Sequence, residues 1–325
     1  MIVVKDAYNA SDFPRGGVGT IGNFDGVHRG QRHALDLIVA RAEELGAPSV
    51  PSVVVTFDPH PVAVLRPGQA PTLLTTLPQK EKLLEEAGIS VVLVVRFTPE
   101  LAKVPAQRFV REFLHGKLDL KEIYVGSSFV FGHGREGNLS LLREMGESLG
   151  FRAFGVDEVS FGGERISSSR IRRAISEGKV AEAMDMLGRP YSIAGIIARG
   201  DRMGQRLGWP TINLVPENKL LPLDGVYASR VFFPSVPATF DCVTNVGTRP
   251  TVYENYQRVV ESHILDFKQD VYGERVELSF FKRLREERIF PSVMDLAAQI
   301  GRDVETAREF FSRRRMEQEA PAAEL

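Results

Sequence analysis

Short apolar runs alternate along the first half of the chain with segments whose apolar residues recur every three or four positions. The apolar runs predict strands at residues 18–21, 52–57, 91–96, 122–125 and 152–156. The helical spacing predicts helices at residues 30–45, 77–87, 106–114 and 140–149. Because strands that alternate with helices form parallel sheets covered on both faces, this half predicts an open, doubly wound α/β domain. Ligands bind such a sheet at the carboxyl ends of its strands.

The second half of the chain has shorter apolar runs with turn residues between them. Two short helices are predicted at residues 169–177 and 180–187, before Gly188, Arg189 and Pro190 interrupt the pattern. Strand-like runs follow at residues 191–198, 226–233, 240–246, 259–264 and 275–281, and helical spacing returns between 292 and 314. These features predict a small antiparallel β-barrel with C-terminal helices. We place the domains at residues 1–187 and 188–315, and we expect a frayed tail over residues 316–325.

Composition narrows the class of protein. A chain of 325 residues that is 43% hydrophobic suits two domains with cores of their own. The net charge of −1 provides no basic field, so nucleic-acid binding is not expected. The single cysteine, Cys242, excludes an intrachain disulfide, fits a reducing compartment and is interpreted as an apolar core residue. The sequence shows neither a signal-peptide pattern nor a membrane-spanning apolar run, and we expect a cytoplasmic protein that does not bind membranes.

The turn after the first of these predicted strands has the features of a phosphate site. Gly22, Gly26 and Gly30 recur at every fourth position and would let the backbone approach a ligand closely. His28 stands at the start of the following helix, whose first N–H groups would face an anion. Taken alone, such glycines are equally typical of a tight strand-to-helix connection.

Further motifs are spread along nearly the whole chain. The first half contains TIGNFDGVHRGQ (20–31), TFDPHP (56–61), VGSSF (125–129), FG (131–132), GREG (134–137) and RISSS (165–169). The second half contains GD (200–201), LGWPTINL (207–214), DGVY (224–227), NVGTRPT (245–251) and ESHILDF (261–267). In this order the motifs resemble the bacterial riboflavin kinase/FAD synthetase family. The resemblance implies a nucleotidylyltransferase-like (Rossmann-like) FMN adenylyltransferase domain followed by a riboflavin kinase barrel.

The resemblance also implies roles for residues of the first domain. His28 and Arg165 would be catalytic, with His28 on the ATP phosphates and Arg165 offering forked donors to them. Further ATP- and phosphate-binding positions would be Gly22, Phe24, Asp25, Gly30, Gln31, Ser128, Ser168 and Ser169. The flavin would contact Phe57, Pro59, His60 and Pro61. Two positions depart from the family: Gln31 replaces a histidine that would complete HxGH, and Ser128 replaces a residue that is more often Asn or Asp.

The second domain contains a candidate kinase site. Thr211 and Asn213 alternate along an extended segment, so their side chains share a face, and hydroxyl and amide oxygens suit Mg²⁺ bound with ATP. Gly200 and Gly208 flank this segment in an arginine-containing loop suited to covering phosphates. By resemblance, Glu261 would orient or deprotonate the ribityl hydroxyl of riboflavin. A lone glutamate in a strand is otherwise more often a surface residue.

Three interpretations of the whole chain follow. The first is a bifunctional enzyme whose substrates are riboflavin, FMN and ATP, with Mg²⁺ as cofactor. The second is a riboflavin kinase whose adenylyltransferase site has degenerated around Gln31 and Ser128, because glutamine donates a hydrogen bond but carries no charge. The third is a non-catalytic flavin or nucleotide sensor. The sequence leaves the oligomeric state, and any transfer of FMN between the domains, open.

Overall fold

The computed structural model describes residues 1–10, 12–199, 204, 208–249 and 257–319. The chain forms two compact units, Met1–Ser168 and Ser169–Leu325, called here the sheet unit and the barrel unit. The domain boundary at residues 187 and 188 stays a prediction. In the structure the two helices before this boundary, Ser168–Ser176 and Val180–Leu187, fall almost wholly within the barrel unit.

Six of the described strands of the sheet unit form one parallel sheet. These are β1 (Ile2–Lys5), β2 (Val18–Ile21), β3 (Ser52–Asp58), β4 (Val91–Arg96), β5 (Glu122–Gly126) and β6 (Arg152–Val156). Their order across the sheet is β1-β4-β3-β2-β5-β6. The chain moves outward from β2 in one direction through β3 and β4, and in the other through β5 and β6. The order therefore reverses between β2 and β5, where a sheet of this kind leaves a crevice for ligands.

Helices cover both faces of this sheet, as the alternating pattern predicts. They are α1 (Arg29–Glu44), α2 (Pro61–Leu65), α3 (Leu77–Glu86), α4 (Ala106–Phe109) and α5 (Leu139–Leu149). Leu35 of α1 packs on one face with Val54, and Leu142 of α5 packs on the other with Val53 and Val55. The helix predicted at 106–114 changes after Phe109 into a π-helix, Val110–Lys117. A two-stranded hairpin, β7 (Ser160–Phe161) with β8 (Glu164–Arg165), follows the sheet.

The barrel unit consists of antiparallel strands and helices. Its elements are α6 (Ser168–Ser176), α7 (Val180–Leu187), β9 (Tyr191–Ala198), β10 (Ile212–Pro216), β11 (Gly225–Phe233), β12 (Ala238–Arg249), β13 (Gln257–Ile264), β14 (Arg275–Arg285) and α8 (Val293–Glu319). Among the described residues the strands close in the order β10-β13-β12-β11-β14-β9. The predicted fold class is confirmed. The structure continues α8 past Met316, where fraying was predicted, to Glu319, and residues 320–325 lie outside the described residues.

Alternation along the barrel strands separates its interior from the face that α8 covers. Tyr227 and Phe280 meet edge to face inside the barrel at 5.4 Å between ring centroids. On the outer face, Phe281 packs against Phe311 of α8, also at 5.4 Å. Cys242 is fully buried in β12, as predicted, and burial raises the pKa of its thiol. No helix in the described part of the chain is both long enough and apolar enough to cross a bilayer.

A buried carboxylate, Glu122 at the start of β5, is the centre of a charged cluster in the sheet unit. Arg41 of α1 donates to both of its oxygens at 3.1 Å, Tyr124 donates its hydroxyl at 2.9 Å, and Arg152 adds a further ion pair. Burial raises the pKa of Glu122, but the hydrogen bonds from Arg41 and Tyr124 and the nearby arginine charges outweigh it. The pKa of this carboxyl is therefore lowered from its ordinary value of 4.5.

Glu122→Gln is expected to reduce the free energy of unfolding by about 3 kcal/mol at neutral pH, because it leaves Arg41 and Arg152 without their buried partner. A carboxyl whose pKa is lowered by folding stabilises the fold above its unfolded-state pKa, and this contribution is lost as the pH falls through the folded-state value. The difference from wild type should therefore shrink below pH 4.5 in urea unfolding followed by circular dichroism.

The matched control for this prediction is Glu44→Gln. Glu44 is exposed and lies 2.6 Å from Arg41, so its removal should cost only about 0.5 kcal/mol. A difference for Glu122→Gln that persists undiminished at acid pH would contradict the electrostatic explanation.

Candidate active sites

The crevice at the carboxyl ends of β2 and β5 brings together two of the predicted phosphate-binding residues. Ser128 lies in the loop after β5, and Arg165 lies in β8. The Arg165 Nη1 donates to Ser128 Oγ at 2.9 Å and is 2.5 Å from Glu158 Oε1. Ser128 and Glu158 therefore hold the Arg165 guanidinium in place. Because the Ser128 and Arg165 side chains are both exposed, the guanidinium remains accessible to solvent.

His28 and Gln31 form the N-terminal cap of α1. The backbone N–H of Gln31 donates to His28 Nδ1 at 3.3 Å, and the backbone N–H of His28 donates to Gln31 Oε1 at 3.1 Å. Because Nδ1 accepts a hydrogen bond, the proton of the neutral imidazole is on Nε2. Gly30 lies against the ring, since a Cβ added there would be 3.4 Å from two of its atoms. Gln31 therefore has a structural role in the cap of α1, which its position in the motif does not reveal.

The glycine-punctuated turn is held by buried hydrogen bonds. The Asp25 carboxylate is 2% exposed and accepts from the backbone N–H groups of Leu74 at 2.9 Å and Thr75 at 3.3 Å. Ser168 at the start of α6 donates its hydroxyl to the Asp25 carbonyl at 2.9 Å. Asp25 thus positions the turn through its carboxylate and carbonyl, and its contact with ATP or phosphate stays a prediction.

Two other predicted phosphate-binding residues lie at the start of the same turn. Phe24 has a left-handed backbone, with φ of 45°, and its buried ring packs in the core beneath α1. Gly22 donates its N–H to the carbonyl of Val55 at 3.0 Å, and a Cβ there would lie 3.3 Å from the Phe24 ring. A larger residue at Gly22 would therefore require the Phe24 ring to shift slightly. Ser169, the residue after Ser168, accepts from Arg172 at 3.5 Å and is exposed.

The predicted flavin-binding residues lie at the end of β3 and just after it, and β3 is next to β2 in the sheet. Phe57 is half-buried and meets Phe97 edge to face at 5.7 Å. Pro59 is exposed, and His60 caps the short helix α2 by accepting from the Val62 N–H at 3.2 Å. Pro61 is the first residue of α2. The four positions therefore form a continuous, partly exposed segment at the ligand-binding edge of the sheet.

Lys80 is a residue at this edge that no sequence pattern singles out. It lies on α3, is 7% exposed and donates to Thr56 Oγ1 at 3.4 Å. Thr56 in turn donates to the carbonyl of Asn23 in the turn at 3.2 Å. Burial lowers the pKa of Lys80, against the opposing charges of Asp25, Asp58 and Glu81. A lysine in an amphipathic helix is ordinarily assigned to the solvent face, so only the tertiary structure reveals that Lys80 contacts Thr56.

In the barrel unit, strand register aligns three polar residues across one face. Asn213 of β10 lies opposite Glu261 of β13, and Glu261 lies opposite Asn245 of β12. Paired residues of antiparallel strands direct their side chains to the same side. All three residues are half-buried, as is Thr211, which immediately precedes β10. The sequence analysis did not single out Asn245 as a candidate site residue, because Glu261 and Asn213, which lie beside it across the strands, are distant from it in the sequence.

These side chains offer hydroxyl, amide and carboxylate oxygens, the donor types that Mg²⁺ prefers. No cluster of three or more His, Cys, Asp or Glu residues suited to a metal occurs in the described part of the chain. The donor set fits a Mg²⁺ ion held by one or two protein ligands together with substrate phosphates. Gly208 has a left-handed φ of 82°, and Gly200 lies outside the described residues.

Comparison with known proteins identifies one family segment in each half of the chain. Residues 10–170 match the FAD synthetase family, and residues 187–311 match the riboflavin kinase family. The bifunctional riboflavin kinase/FMN adenylyltransferase of Escherichia coli K12 is 39% identical over 312 residues, which cover 96% of this chain and 98% of that protein. The protein of the same name from Haemophilus influenzae is 36% identical over 317 residues, covering 96% of this chain and 100% of that protein.

A solved structure gives the same result for the fold. The crystal structure of a Streptococcus pneumoniae protein, described as a macrolide-efflux protein, superposes with a TM-score of 0.85 at 29% identity. The match covers 94% of this chain and 98% of that one. The chain is 39% and 36% identical to these two relatives over nearly its whole length, and it contains both family segments. It therefore belongs to the family of bifunctional riboflavin kinase/FMN adenylyltransferases.

Proposed function

We propose that the barrel unit phosphorylates riboflavin to FMN and that the sheet unit adenylylates FMN to FAD with release of pyrophosphate. Each reaction uses ATP as donor. The observation that carries this proposal is the presence of both family segments on one chain, each with polar residues assembled at its ligand-binding edge. Mg²⁺ as the cofactor and a cytoplasmic location belong to the same proposal.

Adenylyl transfer requires an FMN phosphate oxygen to attack the α-phosphorus of ATP while the bond to the β-phosphate breaks. The protein's task is to align the two phosphates and to stabilise the charge that accumulates on pyrophosphate. His28 supports this role because its cap leaves the proton on Nε2, which then donates to a phosphate oxygen. Arg165 offers its charge and forked donors from the other side of the crevice.

The two departures from the family are compatible with this chemistry. Gln31 maintains the cap that orients His28, and Ser128 contacts Arg165 directly. Neither residue introduces a negative charge beside the phosphates. We therefore favour an active adenylyltransferase over the degenerate site.

In the kinase reaction, a ribityl hydroxyl of riboflavin attacks the γ-phosphorus of ATP while the bond from that phosphorus to the β,γ-bridging oxygen breaks and ADP leaves. Glu261 accepts the proton of that hydroxyl or orients it for attack, since a carboxylate in hydrogen-bond reach suffices for this step. Thr211 and Asn213 supply ligands for Mg²⁺, which when bound offsets the charge of the ATP phosphates. Asn213 and Glu261 are cross-strand neighbours, which supports placing metal ligand and base at one site.

Purified protein incubated with ATP, Mg²⁺ and either riboflavin or FMN tests the proposal, with the flavin products separated by chromatography over time. We expect FMN and then FAD from riboflavin, and FAD directly from supplied FMN. FMN without FAD would identify a kinase whose adenylyltransferase site has degenerated. Stoichiometric flavin binding without turnover would identify a sensor.

A further inference from the structure

His263 of β13 hydrogen-bonds to the segment that precedes β10. Its Nδ1 lies 2.8 Å from the carbonyl oxygen of Pro210. Because a carbonyl oxygen only accepts, Nδ1 is the donor and carries a proton. His263 is two residues after Glu261 and therefore on the same face of β13. The pairs Ser262 with Ile212 and Glu261 with Asn213, extended by one residue, bring His263 alongside Thr211.

The same imidazole also contacts Trp209. The two rings meet edge to face, with 5.3 Å between centroids and 89° between planes. Trp209 is itself held in place, because its backbone N–H donates to the Gly204 carbonyl at 2.8 Å. On the α8 side, a Cβ added at Gly301 would lie 3.6 Å from Trp209 Cζ2. The segment 209–210 is thus held by β13, by α8 and by the backbone hydrogen bond to Gly204.

We propose that His263 is a positioning residue of the kinase site, which fixes the Pro210 carbonyl and thereby places Thr211 for Mg²⁺ coordination. The carbonyl of Pro210 and the N and Cα atoms of Thr211 belong to one planar peptide unit. A hydrogen bond to that carbonyl therefore restricts the position of the Thr211 Cα. His263 acts through Thr211 and does not need to contact riboflavin or ATP.

The inference rests on the proposed function, because it takes Thr211 as a metal ligand. It goes further by assigning a role to His263. The carboxylate of Glu261 and the amide of Asn213 are on strands paired directly with each other, whereas Thr211 precedes its strand. The placement of Thr211 thus depends on contacts outside the strand ladder.

Two substitutions test separately the hydrogen bond that His263 donates and the aromatic contact that its ring makes. His263→Asn keeps an N–H donor near the position of Nδ1 but removes the aromatic contact with Trp209. His263→Phe keeps an aromatic ring beside Trp209 but removes the donor. If the hydrogen bond positions Thr211, His263→Phe should weaken Mg²⁺-dependent ADP binding about tenfold, and His263→Asn should retain most of it.

Trp209 supplies the binding readout. It is the single tryptophan of the chain, so the tryptophan fluorescence of the protein reports on the segment beside Thr211. Calorimetry would instead sum the heats of ADP binding at both nucleotide sites. Each protein is titrated with ADP in the absence of flavin, with and without Mg²⁺, and the dissociation constant is read from Trp209 fluorescence. The KM for Mg-ATP in riboflavin phosphorylation should rise in parallel for His263→Phe, with the KM for riboflavin unchanged. FMN adenylylation should be unchanged in both variants, which shows that the sheet unit is intact, and the unchanged KM for riboflavin shows that the barrel unit is folded.

Equal losses in the two variants, or a loss confined to His263→Asn, would overturn the proposal in favour of aromatic packing. Wild-type affinity in His263→Phe would overturn it as well. These results are distinct from failure of the proposed function, in which wild-type protein neither phosphorylates riboflavin nor binds ADP in a Mg²⁺-dependent way. In that case the role of His263 fails with the function on which it depends.

Discussion

Glu261→Ala should lower riboflavin phosphorylation by about 10²–10⁴-fold, the contribution typical of a general base, while FMN adenylylation continues at the wild-type rate. Glu261 is in β13 of the barrel unit, opposite Asn213 and Asn245, whereas His28 and Arg165 are in the sheet unit. Removing its carboxylate therefore affects one reaction only. The measurement follows FMN formation from riboflavin, and FAD formation from supplied FMN, in the same preparation.

Two further variants sharpen this test. Glu261→Gln preserves the size and most of the packing of the side chain but cannot accept the proton, so it should be about as inactive as Glu261→Ala. Glu217→Gln is the matched control, because Glu217 is exposed in the same unit and pairs with Arg275 at 2.7 Å. Normal phosphorylation by Glu261→Gln would assign Glu261 an orienting rather than a proton-accepting role. Loss of both activities in a folded Glu261→Ala protein would contradict separate sites.

His28→Ala is expected to lower FMN adenylylation by about 10²–10³-fold, which is the usual effect of removing one donor to a developing negative charge. It also removes the cap of α1 and should destabilise the protein by about 1 kcal/mol. Riboflavin phosphorylation should be unchanged. The rates of the two reactions are compared by chromatography, and stability is compared by urea unfolding.

His28→Asn distinguishes the phosphate contact from the cap. Asparagine is among the strongest N-cap residues, and its side-chain oxygen can accept the Gln31 N–H that now bonds to Nδ1. We therefore expect wild-type stability together with the same loss of adenylylation as in His28→Ala. Adenylylation close to the wild-type rate in His28→Asn would show that the imidazole Nε2 does not contact the phosphates.

Sequence patterns located most of the strands and helices closely. The predicted strands 18–21, 91–96 and 152–156 coincide with β2, β4 and β6. Such elements are recognisable because an apolar run bounded by turn residues has few alternatives to a buried strand. β1 was not predicted, since it is short and none of its residues is fully buried, and β10 was recognised only as the extended segment that contains Thr211 and Asn213. The change to a π-helix after Phe109 also leaves no mark in the apolar spacing.

The residues of the candidate sites were likewise recognisable from the sequence only in part. Residues embedded in contiguous motifs, such as His28, Thr211 and Glu261, were recognisable from the order of neighbouring residues and from resemblance. Residues that act through contacts between distant segments were not recognisable. Lys80 reaches Thr56 across 24 positions of the chain, and only the strand register sets Asn245 beside Glu261.

The chain's amino-acid order alone was sufficient for the α/β and barrel classes and for the two motif-bearing halves, and it nominated candidate residues for both sites, because these depend on local periodicity and contiguous motifs. Tertiary structure decided how those residues are held. It showed the Asp25 carboxylate accepting a hydrogen bond from the backbone N–H of Leu74, and His263 hydrogen-bonded to the carbonyl of Pro210. Hydrogen bonds between segments far apart in sequence form only once strands and helices have packed, so no local pattern encodes them.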